Sequence, residues 1–197
     1  MDRQTEVSLL REVIGLADQK SAYLDPEISH SPISRYMSPE RYEREHTMLF
    51  RRKPVVVAQS LELIGEHAFI AKNFLGLPLL LTRDGEGKVN VFLNVCRHRG
   101  AKIEREATGC KRVFTCPYHG WSWSNHGDLR AVPHEGQGFP DLPRAERGLR
   151  RLPSHEAHGF IWVIANPDAA EITDIGRWLS GLDGDFNWLG LADHRIA

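Results

Sequence analysis

The chain has 197 residues, 41% of them hydrophobic, with 25 basic and 26 acidic side chains and a net charge of −1. That is enough chain for one sizeable core. The mixed charge gives no electrostatic reason to expect nucleic acid or an anionic membrane as partner. No apolar run approaches the roughly 18–20 residues needed to span a bilayer, and the N-terminus lacks a signal-peptide layout. Three cysteines, an odd and low count, speak against a disulfide framework and for a reducing, cytoplasmic setting.

Residues 3–22 place Val7, Leu10, Val13, Ile14 and Ala17 on one helical face, which predicts a first helix. A Pro- and Ser-rich linker, "LDPEISHSPIS", follows. In "SPERYEREHTMLF", Ser38 can cap a second helix, Pro39 suits its first position, and Glu40 favours its positive end. These helices predict an extension over residues 1–52. From about Pro54 the texture becomes β-rich, in "VVVAQS", "FIAKNFLGLPLLLTR", "KVNVFLNV", "KRVFTC", "GWSWS" and "GFIWVIAN". Turn signals separate several of these runs, among them the Asp-Gly of "RDGEGK" and "SNHGD". Short, closely spaced strands predict a mainly β fold, an antiparallel sandwich or barrel, over residues 53–167. Ile172, Ile175 and Leu179 then return to helical spacing, which predicts a C-terminal helix within residues 168–197.

The chemistry is concentrated in "NVCRHRGAKIEREATGCKRVFTCPYHGWSW". Cys96 and His98 form Cys-x-His; Cys116 and His119 form Cys-x-x-His. A lone buried Cys or a lone His is ordinarily structural. Two Cys/His pairs, each where a strand runs into a turn and each closed by a glycine (Gly100, Gly120), point instead to a metal site. Zinc would accept two thiolates and two imidazoles. Zinc knuckles, however, usually pair like with like, whereas each loop here gives one of each. A [2Fe–2S] cluster with Cys₂ on one iron and His₂ on the other requires that mixture.

Cys-x-His, a 17-residue spacer and Cys-x-x-His resemble the Rieske signature. "CRHRG" and "CPYHGW", with "GFIWV" later, resemble the alpha subunit of the Rieske non-haem iron (ring-hydroxylating) oxygenases over about residues 40–167. The resemblance implies a Rieske-type β-sandwich or barrel. It implies that Cys96 and Cys116 bind one iron, that His98 and His119 bind the other, and that Trp121 shields the cluster. Ala101 and Tyr118 stand where respiratory-chain Rieske proteins carry a cysteine pair, so that disulfide cannot form.

The resemblance further implies an oxidoreductase. Such a subunit takes electrons from a ferredoxin or flavin reductase and passes them to a mononuclear Fe(II), commonly in a trimer, where O₂ hydroxylates an aromatic or other small organic substrate. That iron needs two histidines and a carboxylate. The remaining histidines do not supply them: His126 and His134 fall in turns, "SHEAH" (His155, His158) is read as a surface connection, and His194 has no partner histidine. The catalytic domain is therefore expected outside this sequence, and no catalytic residue is assigned. A stand-alone Rieske electron carrier and a structural zinc module are the alternatives. Cys110 is read as an indifferent residue in a turn. Arg97 and Arg99 are either a solvated face or a docking surface for an acidic electron donor.

Overall fold

The computed structural model describes residues 1–24, 27–168 and 174–194, in two units, Met1–Arg41 and Tyr42–Ala197. In the first unit, α1 (Arg3–Asp18) is capped by Asp2, whose carboxylate accepts the N–H groups of Gln4 and Thr5. The helix stops four residues short of the expected end. None of its residues is buried, and Leu10, Val13 and Ile14 stay more than half exposed. Next come α2 (Ser34–Met37) and α3 (Pro39–Glu45). As the sequence suggests, Ser38 Oγ accepts the N–H of Arg41, and Pro39 is the first residue of α3.

The second unit holds β1 (Val55–Gln59), β2 (Ala68–Phe74), β3 (Leu77–Arg83), β4 (Val89–Leu93), β5 (Thr108–Cys110), β6 (Val113–Thr115), β7 (Ser122–Ser124), β8 (Leu129–Ala131), β9 (Ser154–Ala157) and β10 (Phe160–Val163). It also holds the short α4 (Glu135–Gly138), α5 (Ile175–Leu179) and α6 (Asp183–Leu189). All strand pairs are antiparallel, in three sheets of order β1-β10-β9, β4-β3-β2-β5 and β6-β7-β8. The expected antiparallel β architecture is therefore present. The single run "FIAKNFLGLPLLLTR" is in fact two strands. They are joined by Leu75 and Gly76, both at positive φ (49° and 76°), the signature of a two-residue hairpin. Leucine is a poor residue for that conformation, so the turn carries no obvious sequence signal.

The four-stranded sheet is the middle layer. Phe69, Ala71, Leu80 and Phe92 point to one core, with Phe114, Trp121, Trp123, Cys96 and Cys116. Their strand neighbours Ala68, Ile70, Leu79, Leu81, Val89 and Val91 point to a second core, with Val57, Leu63, Ile161 and Val163 of the β1-β10-β9 side. Burial on both faces explains why "LPLLL" is a continuous apolar run rather than an alternation. Each fully buried leucine there contributes about 1.5–3 kcal/mol relative to exposure. The first core is the floor on which the Cys/His loops stand. A third, smaller core joins Trp162 and Ile164 to Ile175 and Leu179 of α5; Ile172 lies outside the described residues.

Two expectations are corrected. Cys110 is not in a turn: it ends β5, paired with Ala68 and exposed, its Sγ donating to the Glu66 carbonyl. "SHEAH" is not merely a connection: Ser154–Ala157 form the edge strand β9, in register with β10. Both strands are short and polar, so their extended form comes from the partner strand rather than from propensity.

Candidate metal centre

β4 and β6 each end just before a cysteine, and each then enters a loop closed in the same way. The Cys96 N–H donates to the Ala101 carbonyl (2.8 Å) and the Gly100 N–H to the Cys96 carbonyl (3.0 Å). In the second loop the Cys116 N–H donates to the Trp121 carbonyl (2.8 Å) and the Gly120 N–H to the Cys116 carbonyl (3.0 Å). Gly100 and Gly120 sit at φ 76° and 72°, a region glycine occupies without strain. The repeated Cys/His pattern is thus a repeated backbone loop.

The loops bring all four side chains together. Cys96 and Cys116 are buried and belong to the same core cluster. The rings of His98 and His119 lie 4.7 Å apart, edge to face. Burial pushes the Cys96 thiol up, and the adjacent Cys116 adds to this, against the lowering effect of the backbone N–H groups of His98 and Arg99. Burial also pushes His98 below its ordinary range, helped by the positive charge of His119 and Arg99. A neutral imidazole is the form that ligates a metal.

Trp121, 3% exposed, stacks on His98 with centroids 5.0 Å apart and planes 4° apart. Phe139 meets both rings edge-on, at 5.6 Å to His98 and 5.3 Å to Trp121. Sequence reasoning missed Phe139; it follows α4 in a loop without periodicity, and its aromatic type was the only hint. On the other side, Tyr118 lies 3.7 Å from the His119 ring, and the Arg99 guanidinium is 5.8 Å from the centre of the Tyr118 ring. Arg97 Nη2 donates to the Glu146 carbonyl at 3.3 Å. Cys110 is not part of the cluster of ligand-type side chains.

Two observations bear on what these residues could hold. His98 Nδ1 is buried and has no hydrogen-bond partner, a state that is costly unless something accepts its lone pair. Around a single zinc ion, tetrahedral donors lie only about 4 Å apart. Among the described residues, three ligand-type atoms within 4.8 Å of one another occur only at Asp84, Glu86 and His126. That trio is explained without a metal: Asp84 accepts hydrogen bonds from the Asn90 amide and from the backbone N–H groups of Glu86 and Lys88. No three of the Cys/His donors, then, lie within 4.8 Å of one another.

The Rieske [2Fe-2S] domain model matches residues 53–154. The chain belongs to the Rieske [2Fe–2S] family. The family's cofactor is a binuclear [2Fe–2S] cluster. Among curated relatives, this Rieske chain is 32% identical over 162 residues to the biphenyl 2,3-dioxygenase alpha subunit of Rhodococcus jostii (strain RHA1), covering 82% of the chain and 34% of the relative. It is 33% identical over 178 residues to the N,N-dimethyl phenylurea N-demethylase alpha subunit of Sphingobium sp. (strain YBL2), covering 88% and 36%. Among solved structures, a quaternary ammonium Rieske monooxygenase in complex with L-carnitine superposes with a TM-score of 0.73 at 25% identity, covering 84% of the chain and 47% of that protein. The chain spans about a third of the length of the curated relatives it matches, and it corresponds to their Rieske part. No helix among the described residues is long and apolar enough to cross a membrane.

Proposed function

We propose that Cys96 and Cys116 hold one iron and His98 and His119 the other iron of a Rieske [2Fe–2S] cluster, with Trp121 shielding it. We propose further that the chain is the electron-transfer part of an oxygenase alpha subunit. The observation that carries this reading is the pair of twin loops, with two buried thiols and the unpartnered His98 Nδ1. When bound, such a cluster stores one electron, and neutral imidazoles on one iron raise its potential to about −150 to +300 mV. The protein's share is to hold the four donors deprotonated at the ligating atoms and to exclude water from the thiols. The chain also orients His98 by stacking it on Trp121, with Phe139 edge-on to both rings.

On this reading electrons arrive from a ferredoxin or flavin reductase in the cytoplasm. They leave for a mononuclear Fe(II) in the part of the subunit that lies outside this sequence. There, O₂ would be used to hydroxylate an aromatic or other small organic molecule, in a homotrimer. The division proposed is residues 1–52 as helical extension, 53–167 as Rieske domain and 168–197 as the helical start of the catalytic domain. The relatives' names, which include dioxygenase and N-demethylase alpha subunits, support this class without selecting a substrate. The test is metal and sulfide analysis of the purified chain. Two iron and two acid-labile sulfide per chain are expected. One equivalent of zinc without sulfide would overturn the assignment.

A further inference from the structure

A buried polar clasp ties together the segments that carry the two ligand loops. Asn94, two residues before Cys96, is fully buried. Its amide grips Glu104 in both directions: Asn94 Nδ2 donates to the Glu104 carbonyl at 2.8 Å, and the Glu104 N–H donates to Asn94 Oδ1 at 2.9 Å. Glu104 is itself only 5% exposed. Its Oε1 accepts the N–H groups of Arg105 and Glu106, each at 2.9 Å, and its Oε2 accepts Lys111 Nζ at 2.6 Å. Lys111 begins the run that delivers Cys116. The Lys111 N–H donates to the His67 carbonyl at 2.8 Å, and its Nζ lies 5.2 Å from the centre of the Phe69 ring. Phe69 in turn meets Phe114, two residues before Cys116, edge-on at 5.4 Å.

Burying a carboxylate is costly, and a plain turn after the first loop would not require one. The cost is met here by three hydrogen bonds to the Glu104 carboxylate, and two more through its backbone tie it to Asn94 on the first ligand-bearing segment. We infer that Glu104 and Lys111 are positioning residues that set the separation of the two ligand loops and hold it independently of the metal. The inference rests on the cluster assignment above. Neither residue touches a ligand side chain; both act through the backbone that carries Cys96 and Cys116.

The experiment loads the chain with iron and sulfide, adds an iron chelator in excess, and follows the decay of the visible absorption. Thermal midpoints of the metal-free proteins are measured in parallel. Glu104→Gln and Lys111→Met are each expected to lose the cluster about tenfold faster than wild type, the scale of one lost charge-assisted hydrogen bond. Lys111→Arg should stay near wild type. The Glu104→Gln/Lys111→Met double variant should lose the cluster more slowly than the two single effects combined. Glu156→Gln is the control. It weakens another Glu ion pair, the two-bond contact of Arg83 Nη1 and Nη2 with Glu156 at 2.9 and 2.7 Å, away from the ligand loops, and should lower the thermal midpoint without speeding the decay. If Glu104→Gln fails to fold, Lys111→Met, with its half-exposed side chain, carries the test alone. Decay at the wild-type rate in Lys111→Met and Glu104→Gln overturns the inference. So does equal acceleration in Glu156→Gln at a matched loss of thermal midpoint. A wild-type chain that takes up no iron and sulfide would instead overturn the cluster assignment, before any variant is compared.

Discussion

Replacing Trp121 by alanine should destabilise the metal-free chain by about 3–5 kcal/mol, the range for removing a fully enclosed large aromatic from a core. The indole is 3% exposed and contacts three aromatic rings: His98 in parallel stacking, Phe139 edge-on, and Trp123 at 6.4 Å. Each such pair is worth about 0.5–1.5 kcal/mol beyond the area buried, which places the expected loss toward the upper end of the range. Trp121→Phe keeps a ring in the plane beside His98 and should cost only about 1–2 kcal/mol. The assay is urea unfolding followed by far-ultraviolet circular dichroism, comparing midpoints at a common slope. A loss below about 1 kcal/mol for the alanine variant would mean that the indole is not a packing element. The described stack on His98 would then be wrong.

Cys116→Ser should abolish the visible cluster absorption, while Cys110→Ser, at the exposed end of β5, should leave it unchanged; absorption spectra of the two purified variants decide. Gly127→Ala should destabilise by about 2–4 kcal/mol in a thermal or urea titration. A Cβ there would stand 2.5 Å from Phe92 Cε1, on a backbone at φ 91°. Stability should also depend on acid through Glu104. Burial raises its carboxyl, but Lys111 and the N–H groups of Glu106 and Arg105 outweigh that and hold it below the usual range. A folded-state value below the unfolded one gives stability that is complete above about pH 4.3 and is lost as pH falls through the lower folded value. The wild-type urea midpoint should therefore drop through that acid window more steeply than that of Glu104→Gln, and parallel curves would refute the assignment.

The proposed ligand set was legible in the sequence because such chemistry tolerates few residue types and its spacing matches one loop geometry used twice. The strands with apolar side chains, such as Val55–Gln59 and Phe160–Val163, were legible for the same kind of reason: their burial demands β-branched or aromatic residues. What was not legible depends on partners. Thr108–Cys110 and Ser154–Ala157 are strands only because β2 and β10 offer edges to pair with. The Leu75–Gly76 turn was hidden because leucine occupies its first position. The Glu104–Lys111 contact joins residues seven apart through a fold that the intervening "REATGC" does not announce.

The two motifs differ by one residue, and the structure shows what that residue does. Both loops close through the same pair of backbone hydrogen bonds, from Cys to the fifth residue on and from the fourth residue back to Cys. Within one loop shape, a histidine at the second position after Cys and one at the third must leave the backbone in different directions. His98, at the second, is directed under Trp121 and Phe139, where its Nδ1 is buried without a hydrogen-bond partner and burial pushes the ring below its ordinary range. His119, at the third, lies against the exposed Tyr118, over which the Arg99 guanidinium sits, although the two histidines as whole residues are both partly exposed. Cys-x-His and Cys-x-x-His are thus two placements on one scaffold, and the inequality of the two imidazoles is already encoded in the spacing.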